Sequence, residues 1–419
     1  MLKIVEKRDA GRDEEFGPEL DELVREGARR MLLAALDVEV ANYIERYRDF
    51  RDERGHALVV RNGRARPRKV TVGAGTHEVA SPRVDDRRQD ERFTSRILPP
   101  YMRRSPKVEE TLPVLYLRGL STGDFQPALK GLLGEDASGL SSANISRLIG
   151  VWEGEWESWR GRSLEEVDYV YVWVDGIHLN VRLGEQDRLC LLVIMGARPD
   201  GTKELIAVED GYRESTESWA ALLRDLKRRG MRAPELAVGD GALGFWAAVR
   251  DVWSETREQR DWVHVIGNVL DKLPKRLQGR AKDLLHEIMY APTREDAVED
   301  IDRFEAEYGA KYPKAVTSLR GAEDRLLTFF DFPAEHWKHI RTSNPIESAF
   351  ATVRLRQRVT KGPGSRKRGL LMAYKLLRMA GERWRRLDAA NLLPLVRAGV
   401  QFNNGEQIER EDTHQKVAA

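Results

Sequence analysis

The sequence has one cysteine, Cys190, in 419 residues, so neither a disulfide framework nor a cysteine zinc cluster is available. Long hydrophobic runs are missing too. The longest apolar stretch, Leu189 to Ala197, is far short of the roughly 20 residues that a membrane-crossing helix needs. The opening MLKIVEKRDAGRDEEF has no apolar signal core, so the expected compartment is the cytoplasm, with no membrane partner. Several chemistries are absent as well. No Gly-x-Ser-x-Gly elbow occurs, which removes the hydrolase nucleophile that such a turn presents. His286-Glu287 meets Tyr290 where a zinc-protease helix needs its second histidine. Gly196 to Lys203 places Thr before Lys, the reverse of a P-loop, and Pro199-Asp200-Gly201 reads as a hairpin turn. His336 and His339 have helical spacing but no third metal ligand nearby in sequence.

Net charge is also low, only +2, yet it is segregated. Arg54 to Lys69 holds six basic residues and no acid, and Arg341 to Arg386 holds thirteen against Glu347 and Glu382. The first 26 residues and Glu295 to Glu307 are acidic. Such segregation suits a protein that holds a polyanion on one side.

Hydrophobic spacing organises the chain. Residues 20–50 read as a helical pair or one long helix. Lys69–Val72 and Thr76–Val79 flank Gly73-Ala74-Gly75 as a small hairpin, with Pro82 ending its second strand. Residues 108–160 are helical, and Ile145, Leu148, Ile149, Trp152, Trp156 and Trp159 share one face of a helix capped at Ser141. Short helices followed by a polar first turn suit a helix-turn-helix DNA reader, and a plain three-helix module equally. From Val167 the period changes. Tyr169–Val174 and Leu189–Met195 are buried strands joined across Gly184–Asp187, and Glu204–Val208 is a third. A helix over Ser215–Arg229, a strand over Leu236–Val238, another helix and a fifth strand at Trp262–Val265 complete the order βββαβαβ. Residues 268–335 form an all-helical insertion. A helix then starts near Ser343 or Asn344, and Leu370–Trp384 forms the last one.

Carboxylates at strand ends stand out. Asp175 closes the first strand and Asp240 the fourth, and in a βββαβ order these two strands lie side by side and parallel. Glu347, in the first turn of the helix after the insertion, can join them. Three carboxylates around one point repel unless cations sit between them. Mg²⁺ prefers such oxygen ligands, and two ions would hold the attacking and leaving oxygens of a phosphoryl displacement.

The stretches VDGIHLNVRL, ELIAVEDGYRESTESWAALLRDLKRRG, LAVGDGALGFWAAVRDV and RTSNPIESAFATVRLRQRVTKGPGSRK closely resemble bacterial Mutator-type insertion-sequence transposases, over roughly residues 20–402. The resemblance implies an RNase H-like α/β catalytic domain interrupted by an all-α insertion and preceded by helical and helix-turn-helix DNA-binding regions. Carried over residue by residue, it places a DDE triad on Asp175, Asp240 and Glu347, with two Mg²⁺ ions that Mn²⁺ can replace. It also implies an accessory motif, Asp261-Trp262-Val263-His264, whose His264 would orient a scissile phosphate or leaving group. After that histidine the family usually has a lysine, whereas this chain reads Val265-Ile266-Gly267.

The expected activity is cleavage and strand transfer at the inverted repeats of a mobile element, by a nucleoid-associated homodimer. A nuclease without strand transfer and an inactive DNA-binding relic are the other readings. Arg354, Arg356, Arg358, Lys361, Arg366, Lys367 and Arg368 would hold phosphates. Ser142, Asn144 and Arg147, with Arg61, Arg64, Arg66 and Arg68, would read the ends. The expected domains are 1–52 (helical, dimerising), 53–107 (basic hairpin and linker), 108–165 (helix-turn-helix-like), 166–267 with 336–403 (catalytic), 268–335 (insertion) and 404–419 (a disordered tail).

Overall fold

A computed structural model describes residues 17–88, 92–118, 120, 125–133, 142–181, 188–211, 215–241, 243–360 and 362–408 of the chain. The expected cap at Ser141, the turn at Gly184–Asp187, Lys361 and most of the expected disordered tail lie outside these residues. The chain divides into two compact units, 1–148 and 149–419.

In the first unit, α1 (Gly17–Arg46) is one continuous helix rather than a pair. No proline interrupts it beyond its first turn, and Glu26 pairs with Arg29 and Arg30 at helical spacing. Its inner face, Leu32, Leu33 and Leu36, packs with Val70, Val79 and Leu98. Four strands follow: β1 (Val59–Arg64), β2 (Arg68–Val72), β3 (Gly75–Val79) and β4 (Pro82–Asp86). β2 and β3 form the expected hairpin, and β1 pairs antiparallel with β4. Pro82 therefore opens a strand, since a proline is tolerated at a strand's first position. Helices α2 (Pro106–Leu117) and α3 (Phe125–Leu133) come next, and α4 (Ser142–Arg160) spans the division between the units.

The second unit is a mixed α/β structure built on five strands: β5 (Tyr171–Asn180), β6 (Arg188–Ala197), β7 (Lys203–Gly211), β8 (Leu236–Gly239) and β9 (Arg257–Arg260). Their order across the sheet is β7-β6-β5-β8-β9. The first three are antiparallel neighbours, while β8 runs parallel to β5 and β9 parallel to β8. Helices α5 (Thr216–Arg228) and α6 (Leu243–Val252) connect the parallel strands. They bury Trp219, Leu223, Phe245 and Trp246 with Val172, Val174 and Ile194 of the sheet. Ser215 caps α5 by accepting from the Ser218 amide.

Two strand expectations are corrected. β5 does not end at Asp175; it runs on to Asn180 because β6 pairs with it along its whole length. The fifth strand is Arg257–Arg260, and Trp262 instead opens helix α7 (Trp262–Leu270), capped by Asp261. Local apolarity cannot distinguish a buried strand from a buried helix face over so few residues.

Helices α8 (Lys275–Met289), α9 (Arg294–Tyr308), α10 (Pro313–Arg320), α11 (Glu323–Leu326) and α12 (Trp337–Ile340) follow. Their own core includes Leu285, Ile301, Phe304 and Leu319. On the sheet face opposite α5 and α6, Trp173 Nε1 donates to the His339 carbonyl. There α13 (Asn344–Thr360) packs on β5 and α14 (Arg366–Gly381) on β7. The last long helix thus starts at Arg366, earlier than expected, because Ser365 caps it through the Arg368 amide. A short α15 (Leu393–Arg397) ends with Arg397 bridging Asp168 and Glu235.

Gly196 is the penultimate residue of β6, where an added Cβ would come 2.5 Å from Ile206 Cδ1 and 2.6 Å from Tyr169 Cδ1. Gly196→Ala should cost about 1–3 kcal/mol by overpacking. A urea titration checks this: the midpoint should fall with the slope unchanged.

Candidate active site

The parallel strands set three aspartates side by side. The last paired rung across them is Val174, Gly239 and Arg260. The next residue on each strand is an aspartate: Asp175, Asp240 and Asp261. Side-chain alternation puts Asp175 on the face of Tyr171 and Trp173, where α13 packs. Gly241 follows Asp240 with φ +95°, and an added Cβ there would collide with Arg260 Nε. Glycine at this position lets the chain turn tightly around the Arg260 guanidinium.

Asp261 is fully buried, an expensive place for a carboxylate unless every lone pair is used. It accepts from the Val263 amide at 2.9 Å, from His264 Nδ1 at 2.5 Å and from Ser343 Oγ at 2.7 Å. Its position at the N-terminus of α7 adds the favourable end of the helix dipole. The Trp262 amide donates to the Arg341 carbonyl, which ties α7 to the chain entering α13. Ser343 then lies within 3.2 Å of Glu347 Oε1 as well. Its single proton serves one carboxylate at a time, and the shorter contact favours Asp261.

His264 Nδ1 is 3.8 Å from Asp240 Oδ1 and 3.6 Å from Glu347 Oε1. The bond to Asp261, reinforced by the charges of Asp240 and Glu347, raises its pKa to about 9 against the opposing effect of burial. At neutral pH it is an imidazolium among carboxylates. Burial pushes the Asp175 carboxyl up to about 7. Glu347 and Asp240 add to that rise, while the Gly176 amide and His264 oppose it. A cleft of about 240 Å³ is lined by Asp175, Gly176, His178, Trp219, Asp240, Gly241, Phe245, His264 and Arg354.

Ligand atoms of Asp261, His264 and Glu347 all lie within 4.8 Å of one another. Two of those groups already satisfy each other, since Asp261 accepts from the protonated His264. The remaining carboxylates of the cluster are those of Asp175, Asp240 and Glu347, oxygen donors of the kind that hard divalent ions take.

The family model for Mutator-family transposases matches residues 3–385. The chain belongs to that transposase family. It is 57% identical to the transposase of insertion sequence element IS6120 from Mycolicibacterium smegmatis, over 72% of this chain and 93% of that protein. The transposase of IST2 from Acidithiobacillus ferrooxidans is 47% identical over 67% of this chain and 95% of its own length. A probable ISRM3-like transposase of Sinorhizobium fredii is 30% identical over 90% and 92% respectively. No helix among the described residues is long and apolar enough to cross a membrane.

In this transposase-family chain Val265-Ile266-Gly267 lies within α7. Val265 and Ile266 are buried on the inner face of α7, where a lysine would lose its hydration. The basic residues separate into several groups. Arg354 lines the cleft and lies over the Phe350 ring, while Arg358 and Arg368 are exposed. Arg356 is 3% exposed, so the surface phosphate contact expected of it is corrected: it sits inside the fold. Arg366 pairs with Asp210, and Lys367 pairs with Glu153. Lys361 lies outside the described residues.

In the first unit, Arg61 and Arg64 both pair with Asp37 of α1. Arg68 donates to the carbonyls of Leu98 and Pro99, Arg66 is exposed, and Arg147 pairs with Glu109. The Ser142 and Asn144 side chains lie outside the described residues. Sequence reasoning missed Ser343 as the link between Asp261 and Glu347, and Arg260 behind Asp240. A serine before Asn-Pro signals a helix start, but nothing local signals that its hydroxyl faces another helix's cap.

The native Asp175 carboxyl, with its pKa near 7, binds a proton more tightly than the unfolded chain does. Its contribution to stability is therefore present at acid pH and lost as pH rises from about 4 through 7. In chelated buffer, Asp175→Asn should melt higher than wild type at pH 8, with the gap closing towards pH 4. Melting curves across that range check it; a gap independent of pH would show that charge burial is not the cause.

Proposed function

We propose that this chain is a DNA transposase whose five-stranded unit is an RNase H-like DDE catalytic domain, with Asp175, Asp240 and Glu347 as the triad. The observation that carries this is the shared rung: Asp175 and Asp240 follow Val174 and Gly239 directly, and Asp240 and Glu347 both lie within 4 Å of His264. Burial raises the carboxyl of Asp175, with Glu347 and Asp240 adding to the rise, and a divalent cation would offset the cost of charging it.

Asp175, Asp240 and Glu347 would hold two Mg²⁺ ions, replaceable by Mn²⁺. Bound, these ions would acidify a water and neutralise charge on a transferring phosphoryl group. The chain's own residues do the rest. Asp261 keeps His264 protonated and aimed at the cluster, so the imidazolium can donate to a phosphate oxygen. Arg354 in the cleft can orient the scissile phosphate by charge-assisted hydrogen bonds. In cleavage, water oxygen attacks phosphorus and the 3′ oxygen departs with a proton. In strand transfer, that 3′-OH attacks a second phosphodiester and displaces its 3′ oxygen, so one phosphodiester bond forms for each one broken.

The helices within 108–165 serve as the reader of the terminal inverted repeats. The helical stretch within 268–335 is an insertion in the catalytic domain. Two copies are needed to bring two element ends together. Exposed ion pairs such as Arg61–Asp37 and Lys367–Glu153 are weak in water, so these cations can exchange their partners for phosphate.

Asp175→Asn, Asp240→Asn and Glu347→Gln should each abolish cleavage and strand transfer by several orders of magnitude while end binding survives. A Mg²⁺ cleavage assay beside a gel-shift titration reads both, and a Glu347→Gln protein that cuts at a near-normal rate would remove Glu347 from the site. Pre-cleaved ends given a target duplex separate a transposase, which joins them, from a nuclease, which does not.

Neutralising Arg358 and Arg368 together should weaken binding to any duplex. The slope of log affinity against log salt should shrink by about 0.9 per lost phosphate contact. An unchanged slope would take these residues off the DNA.

A further inference from the structure

Helix α1 has two apolar faces, and its own unit uses one of them. The inner face is Leu32, Leu33 and Leu36 with Val40. Almost opposite runs a second line: Leu20, Val24, Gly27, Met31, Ala34, Val38 and Ala41. The steps of 4, 3, 4, 3, 4 and 3 are the alternating spacing of a coiled-coil seam. Leu20 is 61% exposed, Val24 49%, Met31 69% and Val38 57%. From Leu20 to Ala41 the seam extends about 32 Å.

Residue sizes along the seam select the occupant and its direction. Val24, Met31 and Val38 occupy one set of heptad positions. Leu20, Gly27, Ala34 and Ala41 fill the alternate set, which is small throughout the stretch from Val24 to Ala41 and ends in Leu20 beyond it. In a parallel pair like meets like, so Gly27 and Ala34 would face themselves and leave gaps. In an antiparallel pair the two sets meet: Val24 against the partner's Ala41, Met31 against the partner's Ala34, Val38 against the partner's Gly27.

Gly27 supports this independently. A glycine inside a helix weakens it, and among the described residues, its own helix backbone aside, nothing lies within 4 Å of where a Cβ would be. An approaching valine gives that space a use. The same alignment brings Leu23 beside the partner's Ile44 and sets Arg30 beside the partner's Asp37, a carboxylate that Arg61 and Arg64 already share.

We infer that the outer face of α1 is the contact between two copies of this chain, joined as an antiparallel helix pair with Met31 over the partner's Ala34 near the two-fold axis. The inference rests on the two-copy reading above for its purpose. One helix seam is smaller than a standard interface of about 800 Å² per partner, so a dimer that dissociates on dilution is expected.

Sedimentation of the full chain at tens of micromolar should show a dimer, and Met31→Glu with Val38→Glu should sediment as a monomer with an unchanged melting temperature. Cysteine pairing reads the direction, since Cys190 is buried. Val24 and Ala41 are about 25 Å apart along one helix, so neither Val24→Cys nor Ala41→Cys alone should cross-link under mild oxidant, whereas the double variant should yield a covalent dimer. A monomeric wild type, or a dimer indifferent to the glutamates and to the cysteine pair, overturns the proposal. Cross-linking by Val24→Cys alone overturns the antiparallel geometry. Cleavage by the same wild-type preparation is measured alongside: a monomer that cuts DNA sinks this contact only, and a dimer that does not cut sinks the catalytic reading only.

Discussion

The short parallel ladder of β5, β8 and β9 is the constraint on which the second unit depends. Only four residues of each strand are paired in parallel, and the ladder stops at one common rung. Beyond it β5 continues because β6 still supports it, β8 turns back at Gly239-Asp240-Gly241, and β9 passes into α7. Three aspartates are thereby presented at one edge, each on a different kind of backbone: a strand, a turn and a helix cap. Their surroundings differ accordingly. Asp175 is pressed into the sheet, which raises its pKa to about 7, Asp240 opens to the cleft, and Asp261 is sealed and fully hydrogen-bonded.

Asp261 links the cluster to the rest of the fold. A buried carboxylate bonded to a helix amide, an imidazole and a serine hydroxyl fixes the directions of all three. Through Ser343 it reaches the first turn of α13, and through His264 it places a positive charge between Asp240 and Glu347. The site therefore carries an internal cation. That charge lets three further carboxylates crowd together in the folded protein, and it partly offsets the burial that raises the Asp175 carboxyl.

Much of this was legible in the chain. Continuous apolar runs marked the central strands, and Gly-Asp-Gly marked a turn where backbone and ligand can approach. An acid in the first turn after Ser-Asn-Pro pointed to Glu347. The limits are equally specific. Trp262–Val265 is as apolar as a strand, but Asp261 caps it as a helix, and which outcome wins depends on Gly239 accepting the Asp261 amide. Arg356 looked like one of a run of surface cations because a helix's inward side is not visible where, from Arg354 to Arg358, every second residue is an arginine.

The sequence by itself determined which segments would be buried, where charge accumulates, and which acids stand beside turns, because these follow from local composition and period. The tertiary structure decided which acids share a rung, which cation among many lines the cleft, and that a serine joins two helices. Those depend on strand register and on contacts between residues far apart in the chain, such as Asp261 with Ser343, which no local window contains. The outer face of α1 belongs to both: its seven-position spacing is written in the sequence, but only the packing of the opposite face shows that the described residues of its own unit leave it exposed.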